Sequence, residues 1–263
     1  MKARTASETA EAPAAPPHGD EREMIISHRK QFILFAPWKT ASSSVRARLK
    51  RLNDSPYDRF YAFNPHLNRV VHQHLTCAEF CCLPESRLDY FKASFVRNPY
   101  DRVYSGFQQL QTQVLHQPTV ELRQPWVRAL VAEQIADLFA QLSRSGFDFD
   151  RWVGLLSEHQ IYEVGRNTSL PLHPAHYWTH LNGSQFVDRI GKVETFEEDF
   201  DALCARLDLS DIERVNKNVS SGDDIAPDSS GPYRYVDRMS RTSIDKINAL
   251  FKADFELFDY KVL

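Results

Sequence analysis

Residues Gln31–Arg46 read QFILFAPWKTASSSVR. The opening run, Gln31–Ala36, is short and apolar, as a buried strand requires. Pro37-Trp38-Lys39-Thr40-Ala41 interrupts it. Ser42-Ser43-Ser44 then precedes Val45, Leu49 and Leu52 at helical spacing, with Arg46, Arg48 and Lys50 between them. The order is strand, short loop, helix, with serine where an N-cap belongs. The pattern returns at Tyr90–Val96 (YFKASFV), which Arg97-Asn98-Pro99 ends. Pro99 suits the first turn of a helix, and Val103, Phe107 and Leu110 give that helix one apolar face. Two such units predict an α/β protein with a three-layer, P-loop-like fold, a central mostly parallel sheet flanked by helices. In sheets of this kind ligands gather beyond the carboxyl ends of the strands, where both loops fall.

The loops carry the chemistry. A helix N-terminus exposes N–H groups and a positive dipole end, which suits a phosphate. Lys39 adds a mobile positive charge, and Thr40, Ser42, Ser43 and Ser44 add hydroxyls. The G-x-x-x-x-G-K-[ST] pattern of nucleotide loops is absent, and this loop has no glycine. Arg97 offers a planar fork to phosphate oxygens and Ser105, in the following helix, one more donor. Asp101 and Arg102 are expected to pair or cap locally. Two anion sites at neighbouring strand ends suit a ligand with phosphates at both ends.

Composition sets limits. The 263 residues hold 32 Lys+Arg against 35 Asp+Glu, a net charge of -3, so nucleic-acid binding through bulk charge is excluded and any anion must be held locally. At 42% hydrophobic and 25% charged the chain is globular in profile. No apolar run reaches the roughly 18 residues of a membrane helix. Residues 1–24, rich in Ala, Pro and Glu and lacking an apolar core segment, are expected to be a flexible tail, and the chain to be cytoplasmic. Residues 25–263 are expected to form one domain with a helical insertion at about 111–160. Cys77 and Cys81 have the spacing of thiols on a helix. His72, His74 and Cys77 complete no ligand set of the usual spacing, so no metal is expected.

Other segments complete the reading. Thr76-x-x-Glu79 is a capping box opening a helix. Asn64–Val71 reads as loop or short strand, and 111–124 as irregular. Trp126–Leu142, Phe149–Leu156, Phe196–Leu207 and Ser240–Phe258 read as helices. Asn182-Gly183 marks a two-residue hairpin turn, with Ile190–Val193 extending its second strand.

Phe95–Phe107, FVRNPYDRVYSGF, is similar to the 3′-phosphate motif FVRNPWDRLVSxY of sulfotransferases that use 3′-phosphoadenosine 5′-phosphosulfate (PAPS), in their carbohydrate and bacterial family-2 type. Pro37–Arg46 resembles the same family's PKTAGTSIR, with Lys39, Thr40, Ala41, Ser44 and Arg46 matching. His72-Gln73-His74-Leu75-Thr76 resembles the HGH segment of uronyl 2-O-sulfotransferases. Gly191–Phe200 and Ala253–Tyr260 resemble two further blocks, so the likeness runs in order from about Phe32 to Tyr260. Trp38 stands where the family has proline, and Ser42 where it has glycine. If position 42 needs a positive φ, its Cβ crowds the phosphate.

The resemblance implies sulfuryl transfer from PAPS to an acceptor hydroxyl, of a carbohydrate, without a metal. It implies Lys39 stabilising the leaving phosphate, and Lys39 through Ser44 (Thr40, Ala41, Ser42, Ser43) holding the 5′ phosphate. Arg97 and Ser105 hold the 3′ phosphate. His74 is the general base, with His72 as second choice or acceptor contact. Lys217, Tyr233 and Arg234 are assigned to the nucleoside end, and His173 and His176 to the acceptor. Lacking an anchor, the chain is expected to be a soluble bacterial relative. The alternative is a non-catalytic glycan- or nucleotide-binding protein on the same fold, motivated by the missing loop glycine. A P-loop kinase is disfavoured by the Arg97–Ser105 motif.

Overall fold

The computed structural model describes residues 25–54, 61–64, 69–72, 74–84, 86–116, 138–162, 172–210, 212–214 and 233–263. In chain order its strands are β1 (Ile25–Ser27), β2 (Phe32–Phe35), β3 (Tyr61–Asn64), β4 (Arg69–His72), β5 (Phe91–Val96), β6 (His180–Leu181), β7 (Ser184–Gln185) and β8 (Arg189–Lys192). The central sheet has the order β1-β2-β5-β8. Strands β2, β5 and β8 are parallel, with Phe35 opposite Ser94 and Val96 opposite Lys192. Only β1 runs antiparallel, as an edge. The expected mostly parallel α/β architecture is therefore present, and the loops after β2 and β5 leave the sheet side by side.

Period-two alternation divides the strand side chains between two faces. Phe32, Leu34, Ala93 and Phe95 pack on Val45 and Leu49 of helix α1 (Ser42–Leu49) and on Phe200 and Leu203 of the helix Phe196–Arg206. Ile33 and Phe35 pack on the opposite face, against Leu75, Phe80 of helix α2 (Cys77–Cys81) and Trp178. Each fully buried phenylalanine here, such as Phe32 or Phe80, contributes about 1.5–3 kcal/mol of transfer free energy. A third cluster joins Tyr100, Val103 and Phe107 of helix α3 (Pro99–His116) to Phe149, Trp152, Ile247 and Phe251.

Several expectations are corrected. The N-cap of α1 is Ala41 rather than a serine, and no side chain caps the helix. Within Asn64–Val71, read as loop or short strand, Asn64 ends β3 and residues 69–71 lie in β4, its antiparallel partner. Ile190–Val193 does not extend the 182–183 hairpin: Arg189–Lys192 leaves it for the central sheet, because Asp188 anchors the backbone N–H of Lys92 at 2.7 Å and turns the chain onto β5. The segment expected to be irregular from 111 is helical as far as His116. The closing helix is two helices, Arg241–Leu250 and Lys252–Leu257, separated by Phe251 at φ -117° and ψ 23°. Apolar spacing passes through such a one-residue break unchanged, so periodicity alone could not register it. The tail and 117–137 lie outside the described residues. No helix among the described residues is long and apolar enough to cross a membrane.

Candidate active site

The loop after β2 holds its shape without glycine. Lys39 (φ 66°) and Ala41 (φ 57°) take the left-handed conformation, which costs an L-residue about 1–2 kcal/mol. Thr40, only 1% exposed, compensates by donating its hydroxyl to the Pro37 carbonyl at 2.8 Å. Trp38 lies over Gly106 of α3, so closely that a Cβ there would sit 2.7 Å from the indole. The second loop's helix is thereby docked against the first loop.

Lys39 Nζ donates to Gln109 Oε1 of α3 at 2.9 Å. Burial first, and the Arg97 charge second, lower its pKa to about 8. The two cations thus feel each other's charge, and neither makes an ion pair within 4 Å with a carboxylate among the described residues. Arg97 directly follows β5 and its guanidinium carbon lies 5.8 Å from the centre of the Tyr235 ring. Asn98 caps α3, its Oδ1 accepting the Tyr100 N–H at 3.0 Å, with Pro99 at the first helical position. Ser105 follows on α3 and is buried.

His74 is 4% exposed. Its Nδ1 donates to the Ala36 carbonyl, which can only accept, so the acceptor nitrogen of the neutral ring is Nε2. Burial lowers its pKa to about 3, helped by the charges of Arg46 and, less, Lys39. The capping box predicted at Thr76 and Glu79 is present and starts α2 immediately after His74. His72 ends β4 opposite Tyr61, and its side chain is outside the described residues. So is Lys217.

The chain matches the model of the sulfotransferase family over residues 22–261. It belongs to that family. Carbohydrate sulfotransferase 10 of Gallus gallus is 26% identical to this sulfotransferase-family chain over 182 residues, which make up 66% of the chain and 47% of the relative. The chain thus spans about half the length of that curated relative. No solved structure matches it significantly.

Against the family's pattern, Ser42 has no unusual backbone: it is the first residue of α1, and the positive φ angles fall on Lys39 and Ala41. Its Cβ therefore brings no backbone strain. His173 is completely buried, with Nδ1 against the Ile161 carbonyl at 2.7 Å, a core position out of reach of a bulky acceptor. His176 is partly exposed, its Nδ1 held by Asp254 at 2.8 Å. Asp254 also accepts the backbone N–H of Ala175 and lies 3.5 Å from buried Arg102. Asp101 and Arg102 thus do not pair with each other, as local pairing would have had it. Tyr233 donates its hydroxyl to the Lys261 carbonyl at 3.1 Å, and the backbone N–H of Arg234 donates to Asp101.

Sequence reading missed Gln109, one turn beyond Ser105, and Tyr235, next to two residues it had selected. The helical spacing from Ser105 would have found the first.

Burial of His74 and His173 makes a prediction for stability. Their native pKa values are lowered to about 3 and about 4, against about 6.5 in an unfolded chain. Between those limits the unfolded state binds protons that the native state does not. The stabilising contribution is complete above about pH 6.5 and is lost as pH falls toward the native values. Tm is expected to fall from pH 7 to pH 4.5. His173→Asn, whose amide can still donate to Ile161, is expected to reduce that fall. An equal slope in both proteins would contradict the assignment for His173.

Proposed function

We propose that this member of the sulfotransferase family transfers a sulfuryl group from PAPS to an acceptor hydroxyl of a carbohydrate. The observation that carries the reading is the pair of cations, Lys39 and Arg97, in the loops after adjacent parallel strands, neither in an ion pair with a carboxylate among the described residues. Buried donors at the same place also lack an acceptor: Arg234 Nε and the Tyr235 hydroxyl have no partner among the described residues. A donor with phosphates at both ends fits this arrangement. The name of the avian relative supports a carbohydrate acceptor.

When bound, PAPS supplies the activated sulfuryl group. The backbone N–H groups of Thr40, Ala41, Ser42 and Ser43, with the hydroxyls of Ser42, Ser43 and Ser44 at the start of α1, would hold the 5′ phosphate. Lys39 neutralises negative charge developing on the oxygen that departs with that phosphate. Arg97 and Ser105 hold the 3′ phosphate. Tyr233, Arg234 and Lys217 serve the nucleoside end, and His72 and His176 the acceptor. His74 Nε2 takes the proton of the acceptor hydroxyl. The left-handed Lys39 and Ala41 remove the motive for a non-catalytic reading, since the loop reaches its turn without glycine.

The test is calorimetric and chemical. The protein is expected to bind adenosine 3′,5′-bisphosphate more tightly than adenosine 5′-phosphate, and to move label from PAPS to a member of a glycan panel, scored by mass shift. Absence of both the preference and the transfer would overturn the proposal.

A further inference from the structure

Asp101 lies in the first turn of α3, one turn after Arg97, and is 2% exposed. Its carboxylate does not meet the Arg97 guanidinium in an ion pair. Instead Oδ2 accepts the backbone N–H of Arg234 at 3.2 Å and Oδ1 that of Tyr235 at 3.1 Å. The chain is thus tied to the 3′-phosphate motif across more than 130 positions of sequence.

The tie places one aromatic ring between the parts. Tyr235, 1% exposed, stacks on Tyr104 of α3 at 4.6 Å and 19°. The Arg97 and Arg234 guanidinium carbons lie 5.8 and 5.5 Å from the same ring centre. Two cations are therefore gathered against one π-system, which attracts both. Arg234 Nε and the Tyr235 hydroxyl are buried without an acceptor among the described residues. Buried donors of this kind are rare in folded proteins unless a ligand or water completes them. Arg97, Arg234 and the Tyr235 hydroxyl, donors from two distant segments, are thus gathered about one ring. A phosphate monoester offers them acceptors, and arginine forks match its oxygens.

We propose that Asp101 and Tyr235 are positioning residues that hold Arg97 and Arg234 together as one clamp on the 3′ phosphate. The inference rests on the PAPS reading above and extends it: discrimination for a 3′-phosphorylated nucleotide depends on this tether as well as on Arg97 and Ser105. Asp101 binds main-chain donors, so it fixes the second arginine without neutralising the first through a direct pair.

The experiment compares calorimetric Kd values for adenosine 3′,5′-bisphosphate and adenosine 5′-phosphate. Asp101→Asn replaces one accepting oxygen by a donor. It is expected to weaken the bisphosphate by about 10-fold or more, the scale of a charge-assisted contact, while changing the monophosphate less than about 2-fold. Tyr235→Phe keeps the ring and removes the hydroxyl, and is expected to weaken the bisphosphate selectively by about 3-fold or more. Should Asp101→Asn fail to fold, Tyr235→Phe alone decides. Equal weakening of both nucleotides, or an unchanged ratio, would overturn the clamp. A wild-type protein with no preference between the nucleotides would instead sink the PAPS reading itself.

Discussion

Lys39→Ala is expected to lower kcat by about 10²–10³-fold, the usual loss when one preorganised charge stabiliser is removed. The ammonium is in place before any ligand arrives: Gln109 holds it at 2.9 Å, and Trp38 over Gly106 fixes the loop that carries it. Its lowered pKa, about 8, adds a signature. A lysine acts here as a cation, so kcat/KM in the free enzyme is expected to fall as pH rises through about 8. Lys39→Arg keeps a cation at every accessible pH and is expected to lose this alkaline limb, whatever its rate. Gln109→Glu places a carboxylate against the ammonium, which raises its pKa and moves the limb upward. Measured profiles that keep the limb unchanged in Lys39→Arg would assign it to another group. Wild-type turnover in Lys39→Ala would remove the lysine from the mechanism.

The architecture was legible because the two strand–loop–helix units are local patterns. An apolar run, a proline and a helical repeat appear within about twenty residues each. The same locality gave the capping box at Thr76, where one side chain and a backbone N–H three residues on decide the structure. What was hidden depends on partners distant in sequence. The tether from Asp101 to residues 234–235 cannot be inferred from DRVY, which reads equally well as a local ion pair. The role of Gly106 becomes visible only once Trp38 lies on it. Ser42 is the opposite case, where the condition set on its backbone is not met. Its sequence position matches a glycine, but the strained angles moved to its neighbours Ala41 and Lys39. His173 shows the limit of residue type: next to a proline it reads as a loop histidine, yet the chain buries it against Ile161.

His74→Asn is expected to lower kcat by about 10²–10⁴-fold, the range for loss of a general base. Asparagine is the informative choice because its amide can donate to the Ala36 carbonyl as His74 Nδ1 does. The loop anchor survives while the basic nitrogen is lost. Affinity for adenosine 3′,5′-bisphosphate is accordingly expected to stay within about 2-fold, which separates the loss of a base from the loss of a fold. The pH dependence sharpens the test. Burial dominates the lowering of the His74 pKa, followed by the charge of Arg46 and then Lys39. With its pKa lowered to about 3, His74 is neutral from about pH 4 upward. No acid limb from this residue is expected in kcat/KM between pH 7 and about 4, short of the acid unfolding predicted above. A limb near pH 6.5 that disappears in His74→Asn would show an imidazole with ordinary access to solvent. Unchanged kcat in His74→Asn would pass the role of base to His72, whose place at the end of β4 lies two residues before it.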